Sequence, residues 1–225
     1  MIIILSDLKK ICTALFKATE KYGDTISYYM DDYWTIQLND AYKPTIAKSD
    51  ICVGSLAWDW EWVEKVLNKK NMSITIDFDR IGNLIAFSGY ELFRPEEEKK
   101  GWHFTVKRRD LLELYLHLLS KAEDAGFEDI DITIDSYWFI LPHVALDFKT
   151  GGDCDFVLQS FVNDWEELKN FDSRREPTLK DFEQLGRTIK VIGETIRLEE
   201  MAHTNGGVNF LFSLYDDPEE PKPYQ

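Results

Sequence analysis

Cysteine is scarce in this chain and builds no framework. Cys12, Cys52 and Cys154 are odd in number and far apart, with no Cys-x-x-Cys. That excludes a disulfide scaffold and fits a reducing compartment. Histidine is equally sparse: His103, His117, His143 and His203 include no His-x-x-x-His and have no cysteine pair beside them. The clustered ligands of a zinc site are therefore missing. His117 sits among leucines and reads as a buried or boundary residue. No Gly-x-Ser-x-Gly elbow, phosphate-binding loop or dinucleotide fingerprint occurs, so no motif names a reaction. Long apolar runs are absent too. Met1-Ile-Ile-Ile-Leu5 runs straight into Ser6-Asp7-Leu8 and has no basic stretch before it. We expect no signal peptide, no membrane span and a cytoplasmic location.

Positive charge is also in short supply. Twenty-six Lys and Arg face 41 Asp and Glu, for a net charge of −15. Such a surface repels phosphate backbones and anionic membranes, so neither nucleic acid nor membrane is an expected partner. The only local basic run, Lys107-Arg108-Arg109, is too short to form a stripe.

What the chain does have is apolar patterning. With 44% hydrophobic and 14% aromatic residues in 225, it can bury a self-sufficient core. Leu8, Ile11, Cys12, Leu15, Phe16 and Thr19 share one face of a helix over Asp7–Tyr22, ended by Gly23. Thr25–Leu38 alternates and reads as two strands joined at Asp31-Asp32. Ile51–Ala57 is a short strand, Asp59–Asn68 a short helix, and Asp77–Phe93 a longer one. Arg94–Gly101 combines proline, a charge run and glycine, the marks of a linker.

Then the pattern returns. Asp110–Ala125 is a leucine-faced helix ended by Gly126. Ile130, Ile132 and Ile134 alternate, Asp135-Ser136 turns, and Tyr137–Ile140 comes back. Phe156–Phe161 is a strand, and Asn163–Phe171 and Thr178–Glu199 are helices. At an offset of 103 to 104, Gly23 meets Gly126, Tyr33-Trp34 meets Tyr137-Trp138, and Asp77-Phe78-x-x-x-Gly82 meets Asp181-Phe182-x-x-x-Gly186. The expectation is an α+β fold made by tandem duplication. Each unit of ~100 residues runs helix, hairpin, strand, helix, helix, with antiparallel strands covered by helices. The units span residues 1–93 and 105–199, joined by a linker at 94–104. Residues 200–225 add an edge strand at Val208–Tyr215 and a proline-rich acidic tail.

Three groups of residues invite a function. Ser55–Leu67 holds three tryptophans in five residues with acids between them. Aligned at 103, Trp58 meets Phe161 and Trp62 meets Trp165, which makes both core. Trp60 meets Asn163, which leaves Trp60 as the exposed one, flanked by Asp59 and Glu61. Those three, with Asp31 and Asp32 at the turn, form the candidate partner-binding surface. Asp153 and Asp155, in a glycine-containing loop, are weak candidates for a divalent cation. The recurring pairs Asp77/Asp79 and Asp181/Glu183 could serve as acid and base. Each opens a helix, however, where a carboxylate caps free N–H groups and complements the dipole. Gly82 and Gly186 lie inside helices at a cost of roughly 1 kcal/mol each against alanine. The matched cost points to close helix packing.

Two functions follow. The first is a non-catalytic, acidic binding or inhibitor protein that docks a basic protein through aromatic anchors and needs no cofactor. Bacterial immunity proteins, which neutralise basic toxins and nucleases, are similar in composition: small, cytoplasmic and acidic. The alternative is a carboxylate- or metal-dependent enzyme with its site between the units.

Overall fold

The computed structural model describes residues 1–29, 32–36, 51–67, 74–132, 136–140, 156–172 and 174–203. The expected edge strand and tail beyond 203, and the candidate cation loop at Asp153/Asp155, lie outside them.

Strand β1 (Ile2–Ile4) buries only its middle residue and leads straight into α1 (Leu5–Ala18). The helix turns Leu5, Leu8, Cys12, Leu15 and Phe16 inward, the spacing of one helical face. A single 3₁₀ turn (Glu20–Tyr22) follows, and Gly23 at φ 103° reverses the chain. Next come β2 (Thr25–Tyr28), β3 (Asp32–Ile36), β4 (Ile51–Ser55), α2 (Leu56–Leu67) and α3 (Ile74–Leu92). The stretch read as a linker carries a 3₁₀ turn at Glu96–Glu98. Beyond it lie β5 (Phe104–Lys107), α4 (Arg108–Asp124), β6 (Asp129–Asp131), β7 (Ser136–Ile140), β8 (Phe156–Ser160), α5 (Phe161–Lys169) and α6 (Leu179–His203). The order strand, helix, three strands, two helices runs through the chain twice. The class is mixed helix and antiparallel strand, as expected.

The strand partners differ from those expected. β2 and β3 are not a hairpin, nor are β6 and β7. β1 pairs with β6 so that Ile3 faces Ile130, and β2 pairs with β5 so that Ile26 faces Val106. All four of these residues are buried. Each front strand thus completes its ladder with a strand from the other half of the chain. β3 pairs with β4 and β7 with β8, again antiparallel, and β3 lies beside β7. The two strands that sequence patterning passed over, β1 and β5, are the ones that make the exchange. Both are only three or four residues long, too short for alternation to register.

Beneath the ladders, α3 and α6 pack antiparallel along most of their length. They cross at two glycines. A Cβ on Gly186 would stand 2.5 Å from the Gly82 carbonyl oxygen and 2.9 Å from the Ala86 nitrogen. On Gly82 it would meet the Gly186 carbonyl oxygen at 2.8 Å. The two backbones therefore touch, the close packing that the matched glycines foretold. Further along, Gly89 leaves room for Phe182, whose ring meets Phe16 and Phe93 edge-on. One continuous apolar core joins both halves, from Ile3 and Phe16 to Phe182 and Ile192. Among the described residues, no helix is long and apolar enough to cross a membrane.

The crossing gives a direct expectation. Gly186→Ala gains helix propensity but drives its methyl into backbone that cannot swing aside, so it should lower stability by roughly 1–3 kcal/mol. Urea denaturation of the two proteins at equal m-value measures this. A more stable Gly186→Ala protein would mean that the helices are not in backbone contact.

Candidate functional site

Tyr33 stands opposite Gly54 in the β3–β4 ladder. Only glycine fits there, because a Cβ would fall 2.3 Å from the Tyr33 ring carbon Cζ. The ring lies across that gap and its hydroxyl reaches α2, donating to Asp59 Oδ2 at 2.5 Å. From α3, Asn83 Nδ2 donates to Tyr33 Oη at 2.7 Å. Behind it Lys190 crosses from α6, donating to Asn83 Oδ1 at 2.8 Å and pairing with Asp79 at 3.2 Å. Arg80 Nε stands 3.8 Å from Asp59 Oδ1, and its guanidinium lies 4.2 Å above the Trp62 ring. Asp77, on the first turn of α3, is fully buried.

The electrostatics follow from burial. Loss of solvent pushes Asp59 up to about 7, against the opposing hydrogen bond from Tyr33; the Asp79 charge adds to the rise and Arg80 resists it. Burial and the nearby Asp59 charge hold the Tyr33 phenol well above its ordinary value. Burial also raises Asp77 to about 7, although Arg80 and the Trp62 indole both favour its charged form. Among the described residues neither Asp77 oxygen has a hydrogen bond of good geometry. A carboxyl near neutrality beside a tyrosine hydroxyl can take or release a proton at physiological pH. Here that chemistry is enclosed, since Asp59, Tyr33 and Asn83 are all buried.

The second half answers the same problem differently. Ser160 Oγ accepts from the Asn163 N–H at the start of α5, just as Ser55 Oγ accepts from the Trp58 N–H at the start of α2. Four residues beyond each serine is a buried aspartate, Asp164 in one case and Asp59 in the other. Asp164 is held by Arg187, through Nε at 2.8 Å and Nη2 at 3.1 Å. Arg187 follows Gly186 as Asn83 follows Gly82. The first half thus carries the buried acid but has an amide where the second has a guanidinium.

This register corrects the reading of the tryptophans. Ser55-x-x-x-Asp59-Trp60-Glu61 repeats as Ser160-x-x-x-Asp164-Trp165-Glu166, an offset of 105 rather than 103. Trp60 therefore corresponds to buried Trp165, and it is half-buried against the core. Trp62 also packs on the core. Trp58 falls opposite Asn163 and Trp62 opposite Glu167, so neither has an aromatic counterpart, and of the two only Trp58 is exposed, at 45%. Asp59, expected at the surface, is buried for the reason just given. Glu61 is exposed and pairs with Lys65 at 2.7 Å. Asp32 lies in β3 opposite Ser55. Asp31 is outside the described residues.

The other candidates divide. Asp181 caps its helix as expected, accepting from the Thr178 N–H at 2.7 Å, and it is clamped by Arg175. Asp77 makes no such cap among the described residues. His117 is exposed rather than buried or at a boundary. Among the described residues no group of three or more His, Cys, Asp or Glu is placed to hold a metal ion. No family model matches the chain, and comparison with curated proteins and with solved structures gave no match.

The raised Asp59 carboxyl sets a pH dependence. An acid whose folded pKa exceeds its unfolded value of ~3.9 favours folding below about pH 4. That contribution is lost as pH rises through about 7. Asp59→Asn should therefore leave stability near wild type at about pH 4 and raise it at pH 8 by roughly 2–4 kcal/mol. Denaturation midpoints of both proteins at the two pH values decide the matter. An equal difference at both would remove the buried proton from the account.

Proposed function

We propose that the chain is a non-catalytic, acidic binding protein that docks a basic protein partner, in the manner of an immunity protein against a basic toxin or nuclease. The observation that supports it best is the outer face of the β1–β6 ladder. Ile2 and Ile4 are 60% and 49% exposed, each directly across from an exposed aspartate, Asp131 and Asp129. Cross-strand neighbours share a face, so two apolar side chains and two carboxylates stand together there. Apolar contact would give such a surface its grip, and the acids its preference for positive charge. Exposed Trp58, with exposed Glu61 and Glu64 on the same helix, offers a second surface of the same kind. The same reading takes the chain as a tandem duplication. The repeated order of elements and the reciprocal ladders support that, and each half then supplies half of every front ladder.

The alternative is a carboxylate enzyme, favoured by one observation: Asp59 is raised to about 7 beside Tyr33, and Asp77 to about 7 near Arg80 and Trp62. It requires those groups to be reached by a substrate.

The binding reading makes a measurable claim. A partner purified with this protein should be basic, and its affinity should fall several-fold between about 50 and 200 mM salt. Replacing Ile2 and Ile4 with serine should weaken it by at least about tenfold, the effect of losing 1.4 kcal/mol of apolar contact. Titration calorimetry reads both. An acidic partner, or one indifferent to salt, would sink the proposal.

A further inference from the structure

In a chain so poor in positive charge, four cations line one groove. It is an open hollow of about 750 Å³ between the last turns of α1 and the junction of β5 with α4. Phe16 and Leu112 form an apolar floor, and Lys17, Lys107, Arg108 and Arg109 surround it. Glu20 and Asp24 also touch the groove. Asp24 stands 3.9 Å from buried Arg108, whose guanidinium is anchored on the Thr19 carbonyl oxygen. Among the described residues Lys17 and Lys107 form no ion pair. Arg109 has only long ones, 3.6 Å to Asp110 and 3.5 Å to Glu113.

The placement of these cations runs against local energetics. Lys107 is the cap residue of α4, Arg108 and Arg109 open the helix, and no side chain caps it. Arg108 is accounted for by its buried anchor, but exposed Lys107 and Arg109 sit at the positive end of a helix dipole, with Asp110 the one acid in the first turn. The start of α1, Ile4-Leu5-Ser6-Asp7, has an acid at the place of Asp110 but no cation before it. A local rule broken on one side of the molecule, facing a hollow, is the pattern of a binding site rather than of a fold requirement.

We propose that this groove binds a small organic anion with an apolar body. Its charged group would sit among Lys17, Lys107 and Arg109 and its body on Phe16 and Leu112. A bound anion relieves the repulsion among the cations and supplies acceptors at the helix start. The apolar floor sets the chemical class: a bare inorganic anion would leave it unused.

The full chain, titrated with octanoate and separately with inorganic phosphate and followed by amide NMR, tests this. Octanoate should saturate with a dissociation constant below about 1 mM and shift Thr13, Lys107 and Leu112. Phosphate should bind at least about tenfold more weakly. Lys17→Gln combined with Lys107→Gln should weaken octanoate binding at least about tenfold, and Lys100→Gln should leave it unchanged. Lys107→Glu adds a readout that a structural role would not give. The ligand-free protein should unfold at higher denaturant, because an acid suits that helix end, while octanoate affinity falls. The proposal is overturned by no saturable shift, by phosphate binding as tightly as octanoate, by full affinity in the double variant, or by a Lys107→Glu protein that unfolds earlier.

Discussion

The contact between the backbones of α3 and α6 governs the rest of the structure. Where Gly82 and Gly186 touch, no side chain separates the helices. The neighbouring side chains must then interdigitate at a fixed angle, and everything carried on either helix is placed by that angle. Phe182 fills the space that Gly89 leaves and reaches Phe16 in α1. Lys190 is carried across to Asn83 and Asp79. The front ladders add a second tie between the halves, since neither β1 nor β2 pairs within its own half. The result is one core rather than two.

On that scaffold two buried aspartates, each four residues beyond a serine, meet different partners. Asp164 meets Arg187 in a bidentate pair, with both groups shielded and both charges matched. Asp59 has only hydroxyl and amide partners at bonding distance, and Arg80 lies 3.8 Å away. The Tyr33 hydrogen bond and distant Arg80 only partly offset its desolvation, and burial raises its carboxyl to about 7. A single difference, amide for guanidinium after a matched glycine, separates an acid paired with a full positive charge from one bonded only to neutral donors.

The helices were legible because their apolar faces repeat at 3.6 residues over three turns or more, and the glycine match at 82 and 186 was legible as packing. The strand pairing was not. Alternation in Ile2–Ile4 or Phe104–Lys107 is too brief to stand out, and nothing local tells β2 to pass over β3 for a partner 80 residues away. Proximity in sequence favoured hairpins, and buried Ile26 and Val106 overrode it. The site was half visible. At 103 the unmatched tryptophan is Trp60; at 105 Trp58 and Trp62 are both unmatched, and packing rather than matching decides that only Trp58 is exposed. The repeated Ser-x-x-x-Asp-Trp-Glu carried the right register, and with it the pairing of Asp59 with Asp164. What no pattern could show is that Tyr33, in another strand, closes over that acid.

The β1–β6 ladder also fixes an order of events during synthesis. Ile3 waits for Ile130, which emerges 127 residues later. At about 5–20 residues per second the nascent chain spends some 6 to 25 seconds with its first strand unpartnered. Through that interval a short, apolar, edge-forming segment is available to any complementary strand, including one from a neighbouring ribosome on the same message. The reciprocal ladders are equally satisfied when a second chain supplies the missing strand. The topology that ties the two halves of one chain together therefore also offers a route to strand exchange between two chains.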